Sequence, residues 1–210
     1  MQYDLIKYRG NIMDQQGNQQ KQDIDQQQKP TKQQEQRSMH HGFDVEAIRK
    51  AAANLDDGAV TEGYAADREA ICKMLNDALA TELLCVLRYK RHYYTVKGRA
   101  NAGVKAEFLE HAQQEQEHAD SIAERIVQLN GEPDFNPATL TARSHAEYDD
   151  SEDVNAMVRA NLIAERVAIE SYRQMIEVIG HTDPTTRALL VSIMAVEEEH
   201  ADDMADLLTR

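Results

Sequence analysis

Two short stretches of this chain share one form: Glu115-Gln116-Glu117-His118 and Glu197-Glu198-Glu199-His200, each a carboxylate followed three positions later by an imidazole. On a helix that spacing puts both side chains on one face, a turn apart, where they can hold one cation together. Glu82, in Leu79-Ala80-Thr81-Glu82-Leu83-Leu84, and Glu165, in Ile163-Ala164-Glu165-Arg166, are carboxylates set in largely apolar surroundings. A carboxylate taken out of water alone is expensive, and four together far more so, unless cations neutralise them. Four carboxylates and two neutral imidazoles are balanced by two divalent ions. Oxygen-rich coordination with two imidazoles suits iron or manganese better than zinc, whose closed sites favour Cys and His. Availability and redox chemistry favour iron, with manganese the alternative. The expected ligands are Glu82, Glu115, His118, Glu165, Glu197 and His200. One Glu-x-x-His in so acidic a chain carries little weight; two, each on an apolar stripe and matched by the two single Glu residues, carry much more.

Four helical patterns must position these groups. The first spans about 65–97 and is stopped by Gly98; its stripe runs Ile71, Leu75, Leu79, Glu82, Val86, Tyr89, Tyr93. The second spans about 104–129 and is closed by Asn130-Gly131, with Phe108, Ala112, Glu115, His118, Ile122 and Ile126 in line. The third spans about 152–179, opened by Asp150 or Ser151, with Val158, Asn161, Glu165, Ile169, Tyr172 and Ile176. The fourth starts with Asp183 as cap and Pro184 in the first turn, then Leu190, Ile193, Glu197, His200, Met204 and Leu207. All four repeat every 3.6 residues, and no segment alternates as a strand does. Each stripe carries one Glu near its middle, with Arg88, Arg125, Arg166 and Arg173 expected off to the side. Short links join the first to the second and the third to the fourth, predicting antiparallel pairs. About 20 residues holding Pro133 and Pro137 separate second from third. That length suits a crossover along a bundle, leaving those two helices parallel. The expected fold is an all-α four-helix bundle.

The chain has 210 residues, enough for one ordinary domain, and a formal net charge of −14. Through Gly42 there are six Lys/Arg and five Asp/Glu, so the remainder carries −15 and should repel nucleic acid and lipid headgroups while attracting cations. Twelve of the first 42 residues are Gln. Such a composition buries too little surface to offset chain entropy, so 1–42 is expected to be a disordered tail. Met39 is a candidate natural start, and His40-His41 a weak metal-binding pair or tag remnant. The expected organisation is thus 1–42 tail, 43–64 short helix (44–53) and loop, and 65–210 bundle. Cys72 and Cys85 lie about 20 Å apart along one helix, beyond disulfide reach, and are expected to be packed thiols in a reducing, cytoplasmic setting. No membrane-spanning run or signal peptide is read.

With these residues in place, the chain resembles the ferritin-like superfamily, closest to the bacterioferritins, over about residues 66–208. The resemblance implies that Glu82 and Glu165 are terminal ligands, Glu115 and Glu197 bridging ones, and His118 and His200 the terminal imidazoles. Tyr89, two turns after Glu82, matches a family tyrosine near the metals. The implied activity is ferroxidase: two Fe2+ are oxidised by O2 or H2O2 and the product passes into a mineral inside a hollow homo-oligomer. Bacterioferritin haem is held by a Met directly after the second-helix Glu; Gln116 stands there, so haem is not expected. Only ten residues follow His200, which favours a twelve-subunit shell, similar to the Dps-like mini-ferritins, over a 24-subunit cage. The alternatives are a peroxide-reducing or manganese catalase-like enzyme without a mineral, a di-iron oxygenase, and a DNA-shielding shell. Rubrerythrins are similar too, but their Cys-x-x-Cys pairs are missing. His111, one turn before Glu115, is read as a surface residue, with assistance to the site or binding of a transient ion as the alternative. Gln113-Gln114 and Asp202-Asp203 are read as surface, Glu117, Glu198 and Glu199 as solvated or lining an iron path, and Cys85 as packing, with redox chemistry near the metals the alternative.

Overall fold

A computed structural model describes residues 39–40 and 42–209 of the chain. The chain divides into two compact units between Asn54 and Leu55. In the first, β1 (Met39–His40) pairs antiparallel with β2 (Phe43–Asp44), and α1 (Val45–Ala51) follows. Asp44 caps α1, accepting hydrogen bonds from the Glu46 and Ala47 amides at 3.1 and 3.0 Å. The expectation of a disordered tail falls outside the described residues apart from 39, 40 and 42, as does His41 of the His40-His41 pair.

The second unit is built from α2 (Arg68–Thr95), a 3-10 turn at Arg99–Asn101, α3 (Ala102–Gln128), α4 (Leu140–Arg143), α5 (Val154–Ile179) and α6 (Pro184–Thr209). Its ends are set by local hydrogen bonding. Asp67 caps α2 through the Ala70 amide at 3.1 Å, so the helix starts three residues later than the hydrophobic pattern suggests. α5 is capped by Asp153 through the Ala156 amide at 2.9 Å, not by Asp150 or Ser151. Ser151 is engaged elsewhere, its amide and hydroxyl both donating to Asp149. α3 closes with Asn130 at φ 61°, the Asn130 amide bonding the Val127 carbonyl and the Gly131 amide that of Ile126. Gly131 is required here for space: a Cβ would lie 2.7 Å from Cys72 Sγ and 2.9 Å from Ile126 Cγ2.

Topology follows from which residues meet. Tyr89 on α2 bonds Glu165 on α5, and Tyr172 on α5 bonds Glu82 on α2, so those helices are antiparallel. Arg125 meets Thr186 and His111 lies against Asp203, so α3 and α6 are antiparallel as well. The α2–α3 and α5–α6 pairs are hairpins, which leaves α3 and α5 parallel. The crossover between them runs up α2. Asp134 and Glu132 bond Asn76, the His145 amide bonds Thr81, the Glu147 carbonyl accepts from Arg88, and Asp149 reaches His92. The sequence pattern shows no helix in this link, but one turn, α4, forms there and buries Leu140.

Two apolar clusters fill the bundle. One holds Ile71, Leu75, Leu79, Ile122, Ile126, Ile179 and Leu190; the other holds Tyr89, Phe108, Met157, Val158 and Met204. Each fully buried aliphatic side chain contributes about 1.5–3 kcal/mol. The four stripe Glu residues lie between the clusters, sealed from water on both sides.

At the α6 start, Asp183 accepts from Arg125 Nη2 at 2.9 and 3.0 Å, from the Tyr64 hydroxyl at 2.7 Å and from the Thr186 amide at 2.9 Å. Burial pushes its carboxyl up, but the hydrogen bonds from Thr186, Tyr64 and Arg125 outweigh this and hold it below the ordinary range. Asp183→Ala, which leaves the Arg125 charge without its carboxylate, is expected to cost about 3–5 kcal/mol of unfolding free energy in denaturant titration. Because the folded pKa is depressed, the wild-type contribution is complete above the unfolded value of about 4 and disappears as pH falls through the folded value. An Asp183→Ala chain with unchanged stability at pH 7 contradicts this assignment.

Candidate metal centre

The six expected ligands come together. Glu82 of α2, Glu115 and His118 of α3, and Glu165 of α5 meet Glu197 and His200 of α6 in the middle of the bundle. Their ligand atoms form two overlapping groups: Glu82, Glu115, His118 and Glu197, and Glu115, Glu165, Glu197 and His200, each within 4.8 Å of one another. Glu115 and Glu197 belong to both, and each turns one oxygen to each half. His118 Nδ1 lies 2.9 Å from Glu197 Oε1 and 3.4 Å from Glu115 Oε2. His200 Nδ1 lies 3.4 Å from Glu197 Oε2 and 3.8 Å from Glu115 Oε1. Glu82 closes the first half, 3.4 Å from His118 Nδ1, and Glu165 the second, 3.9 Å from His200 Nδ1. None of the six is more than 8% exposed.

Hydrogen-bond accounting tests whether this cluster suits cations. Among the described residues, every buried side-chain nitrogen or oxygen without a hydrogen-bond partner belongs to these six. Both oxygens of Glu115 and Glu197, one each of Glu82 and Glu165, and Nδ1 of both imidazoles point inward unsatisfied. Leaving a buried polar atom without a partner costs about 1–3 kcal/mol, and more for a charged one. Eight such atoms converging in one place fit hard or borderline divalent cations.

Without cations, protons must take their place. Burial first, then the charges of Glu197, Glu82 and Glu165, push the Glu115 carboxyl far up. Burial and Glu197 push Glu165 up to about 8, with Arg88 pulling the other way. Burial and Glu82 raise Glu197. Burial works against Glu82 as well, but the adjacent Glu115 carboxyl and His118 imidazole outweigh it and leave that carboxyl lowered. His118, opposed by burial but held by Glu197 and Glu82, rises to about 10, whereas burial lowers His200. Protons and cations therefore compete for the same atoms.

Surrounding side chains aim these six residues, and several were missed from sequence. Gln114, expected at the surface, has Oε1 2.8 Å from His200 Nε2; an amide oxygen only accepts, so Nε2 carries the hydrogen and the Nδ1 lone pair faces inward. Tyr172 donates to Glu82 as Tyr89 donates to Glu165. Each tyrosine follows its own helix's Glu by seven positions, a repeat that could have identified Tyr172. Arg88, expected off to the side, is fully buried and 3.8 Å from Glu165 Oε1. Its Nε donates to Asn161 Oδ1 at 2.8 Å, Asn161 contacts His92 Nδ1 at 3.1 Å, and His92 Nε2 lies 3.1 Å from Asp149. A polar Asn161 on an apolar stripe was the one sequence sign of this network. Arg88 adds a positive charge, so the simple balance of four carboxylates against two divalent ions is incomplete.

His111, also expected at the surface, is 1% exposed; its Nδ1 is 3.1 Å from the Tyr89 hydroxyl and its ring stacks on His200 at 4.0 Å. Burial, then His200, lowers its pKa to about 3. Glu117, Glu198 and Glu199 are exposed, with Glu198 3.5 Å from Arg173. Cys85 is a buried free thiol 3.4 Å from Arg88 Nη2, and Cys72 is free as well.

Comparison with known proteins places this geometry in context. A family model described as a ferritin-like domain matches residues 72–210. The chain is 29% identical over 143 residues to a nutrient stress-induced DNA-binding protein of Synechococcus sp., covering 66% of this chain and 80% of the relative. It is 28% identical over 140 residues to a bacterioferritin of Desulfovibrio desulfuricans, covering 66% and 74%. Among solved structures, a dodecameric thioferritin, the bacterioferritin-related protein of Bacteroides fragilis, superposes with a TM-score of 0.65 at 34% identity, covering 68% of this chain and 86% of that one.

Divalent cations that bind only the folded centre should raise its unfolding midpoint. Mn2+ at about 100 times its dissociation constant is expected to add about 2.7 kcal/mol per ion, read by thermal denaturation. Glu115→Gln, which removes a ligand common to both groups, should abolish most of that gain; an undiminished gain removes Glu115 from the ligand set.

Proposed function

This chain belongs to the ferritin-like domain family, and we propose that it is a ferroxidase subunit of a cage that stores and detoxifies iron. The observation that carries this reading is the set of eight buried, unsatisfied ligand atoms from Glu82, Glu115, His118, Glu165, Glu197 and His200. Fe2+ is the substrate. Two Fe2+ give up one electron each, and these reduce O2 with two protons to H2O2, or H2O2 with two protons to two waters. Glu115 and Glu197 hold the pair close because each offers one oxygen to either half. Gln114 keeps the His200 lone pair inward, and Tyr172 and Tyr89 orient the terminal carboxylates. Manganese occupies the same donor set in the alternative, catalase-like reading. The acidic surface raises the local Fe2+ concentration. Similarity to a dodecameric thioferritin supports a twelve-subunit shell over a 24-subunit one. A cytoplasmic setting fits two free thiols, and among the described residues no helix is long and apolar enough to cross a membrane.

The name of the Synechococcus relative raises a second reading, a shell that coats DNA. A net charge of −14 opposes it, because affinity for duplex depends on cations that neutralise phosphates.

With aerobic Fe2+ in large excess, the protein should retain hundreds of irons per soluble particle; stoichiometric oxidation followed by precipitation favours chemistry without storage. On a sizing column it should elute as a shell, and a species no larger than a dimer ends the cage proposal. Glu115→Ala should lose rapid oxidation, by at least about 100-fold given removal of a shared ligand, while the assembly persists; equal initial rates exclude the proposed role. A gel shift at low salt should leave duplex DNA unretained, and retention would favour the DNA-coating reading.

A further inference from the structure

Outside the six-ligand cluster, Glu107 and His111 of α3 and Asp203 of α6 bring ligand atoms within 4.8 Å of one another. The two carboxylates are open to water, with side-chain exposures of 39% and 50%, while the imidazole is buried. This group therefore sits where the buried centre meets solvent.

The proton positions decide what the group can do. A tyrosine hydroxyl has one hydrogen, and that of Tyr89 is donated to Glu165. The 3.1 Å contact between the Tyr89 oxygen and His111 Nδ1 must then be a hydrogen bond from Nδ1–H to the tyrosine oxygen. A neutral imidazole with its hydrogen on Nδ1 carries a lone pair on Nε2. That atom has no hydrogen bond among the described residues, and it faces Asp203 Oδ2 at 3.5 Å and Glu107 Oε2 at 4.0 Å. A lone pair directed at two carboxylates is repulsive, and a cation among the three turns repulsion into coordination.

We propose that Glu107, His111 and Asp203 form a third divalent-cation site on each chain, distinct from the dinuclear pair and open to solvent on its carboxylate side. One nitrogen and two carboxylate donors suit a first-row divalent ion, with water completing its shell. The site is linked to the buried centre at two points: His111 stacks on His200, and it hydrogen-bonds through Tyr89 to Glu165. The outer site is suited to hold an ion in transit between solvent and the His200 half of the pair.

The test uses Zn2+ alone on the full-length protein, with ions per chain counted by equilibrium dialysis and located by anomalous diffraction from soaked crystals. The wild type should bind three, with one peak about 2.0–2.1 Å from His111 Nε2. Asp203→Asn should bind two and lose only that peak. A Glu115→Gln/Glu197→Gln double variant should retain one ion, at His111. Two ions in the wild type with none at His111, or three in Asp203→Asn, overturn the proposal while leaving the dinuclear reading intact. A lone ion at His111 in the wild type, with none between Glu115 and Glu197, upholds this site and defeats the dinuclear reading.

Discussion

Four carboxylates held in the dry middle of a helical bundle are the constraint around which this molecule is arranged. Apolar clusters above and below exclude water, and the crossover segment covers α2, so no solvent is available to stabilise the charges. Proteins ordinarily satisfy such groups with hydrogen-bond partners, and among the described residues every fully buried side-chain nitrogen and oxygen outside this cluster has one. The deficit is concentrated in six residues: unsatisfied atoms spread through a core would signal strain, whereas eight atoms facing one another fit the binding of cations.

The centre also has a pseudo-twofold arrangement that its surroundings break. Glu82, Tyr89, Glu115 and His118 recur as Glu165, Tyr172, Glu197 and His200, each 82 or 83 positions later. The tyrosines exchange partners across the bundle, each serving the other helix's carboxylate. Around Glu165, however, stand Arg88 and, through Tyr89, His111. The position corresponding to His111 on α6 is the apolar Ile193. The two halves therefore differ in electrostatics even though their Glu, His and Tyr residues match. The guanidinium is held by Asn161, which leads on through His92 to Asp149 at the crossover, so a surface loop and the buried charge form one network.

How much of this could be read along the chain depended on the range of the interaction concerned. Helix identity, the all-α bundle and the parallel placement of α3 and α5 followed from the 3.6 period, the short links and one long link, which are local properties. The caps were harder. Asp153 displaced Asp150 and Ser151 because Asp149 engages Ser151, a competition that composition does not reveal. The six residues at the centre were legible because a charged residue on an apolar stripe is an exception that periodicity exposes.

The sequence by itself determined that four glutamates and two histidines would face inward, since helical spacing assigns each residue to a face. Only the tertiary structure decided what surrounds them: that Arg88 is buried against Glu165, that Gln114 orients His200, and that His111 joins Tyr89 to Asp203. Those contacts join different helices at the edges of their stripes, where a few degrees of helix rotation moves a long side chain from solvent into the core. Periodicity places a residue on a face; the partner it meets there is set by how the helices pack.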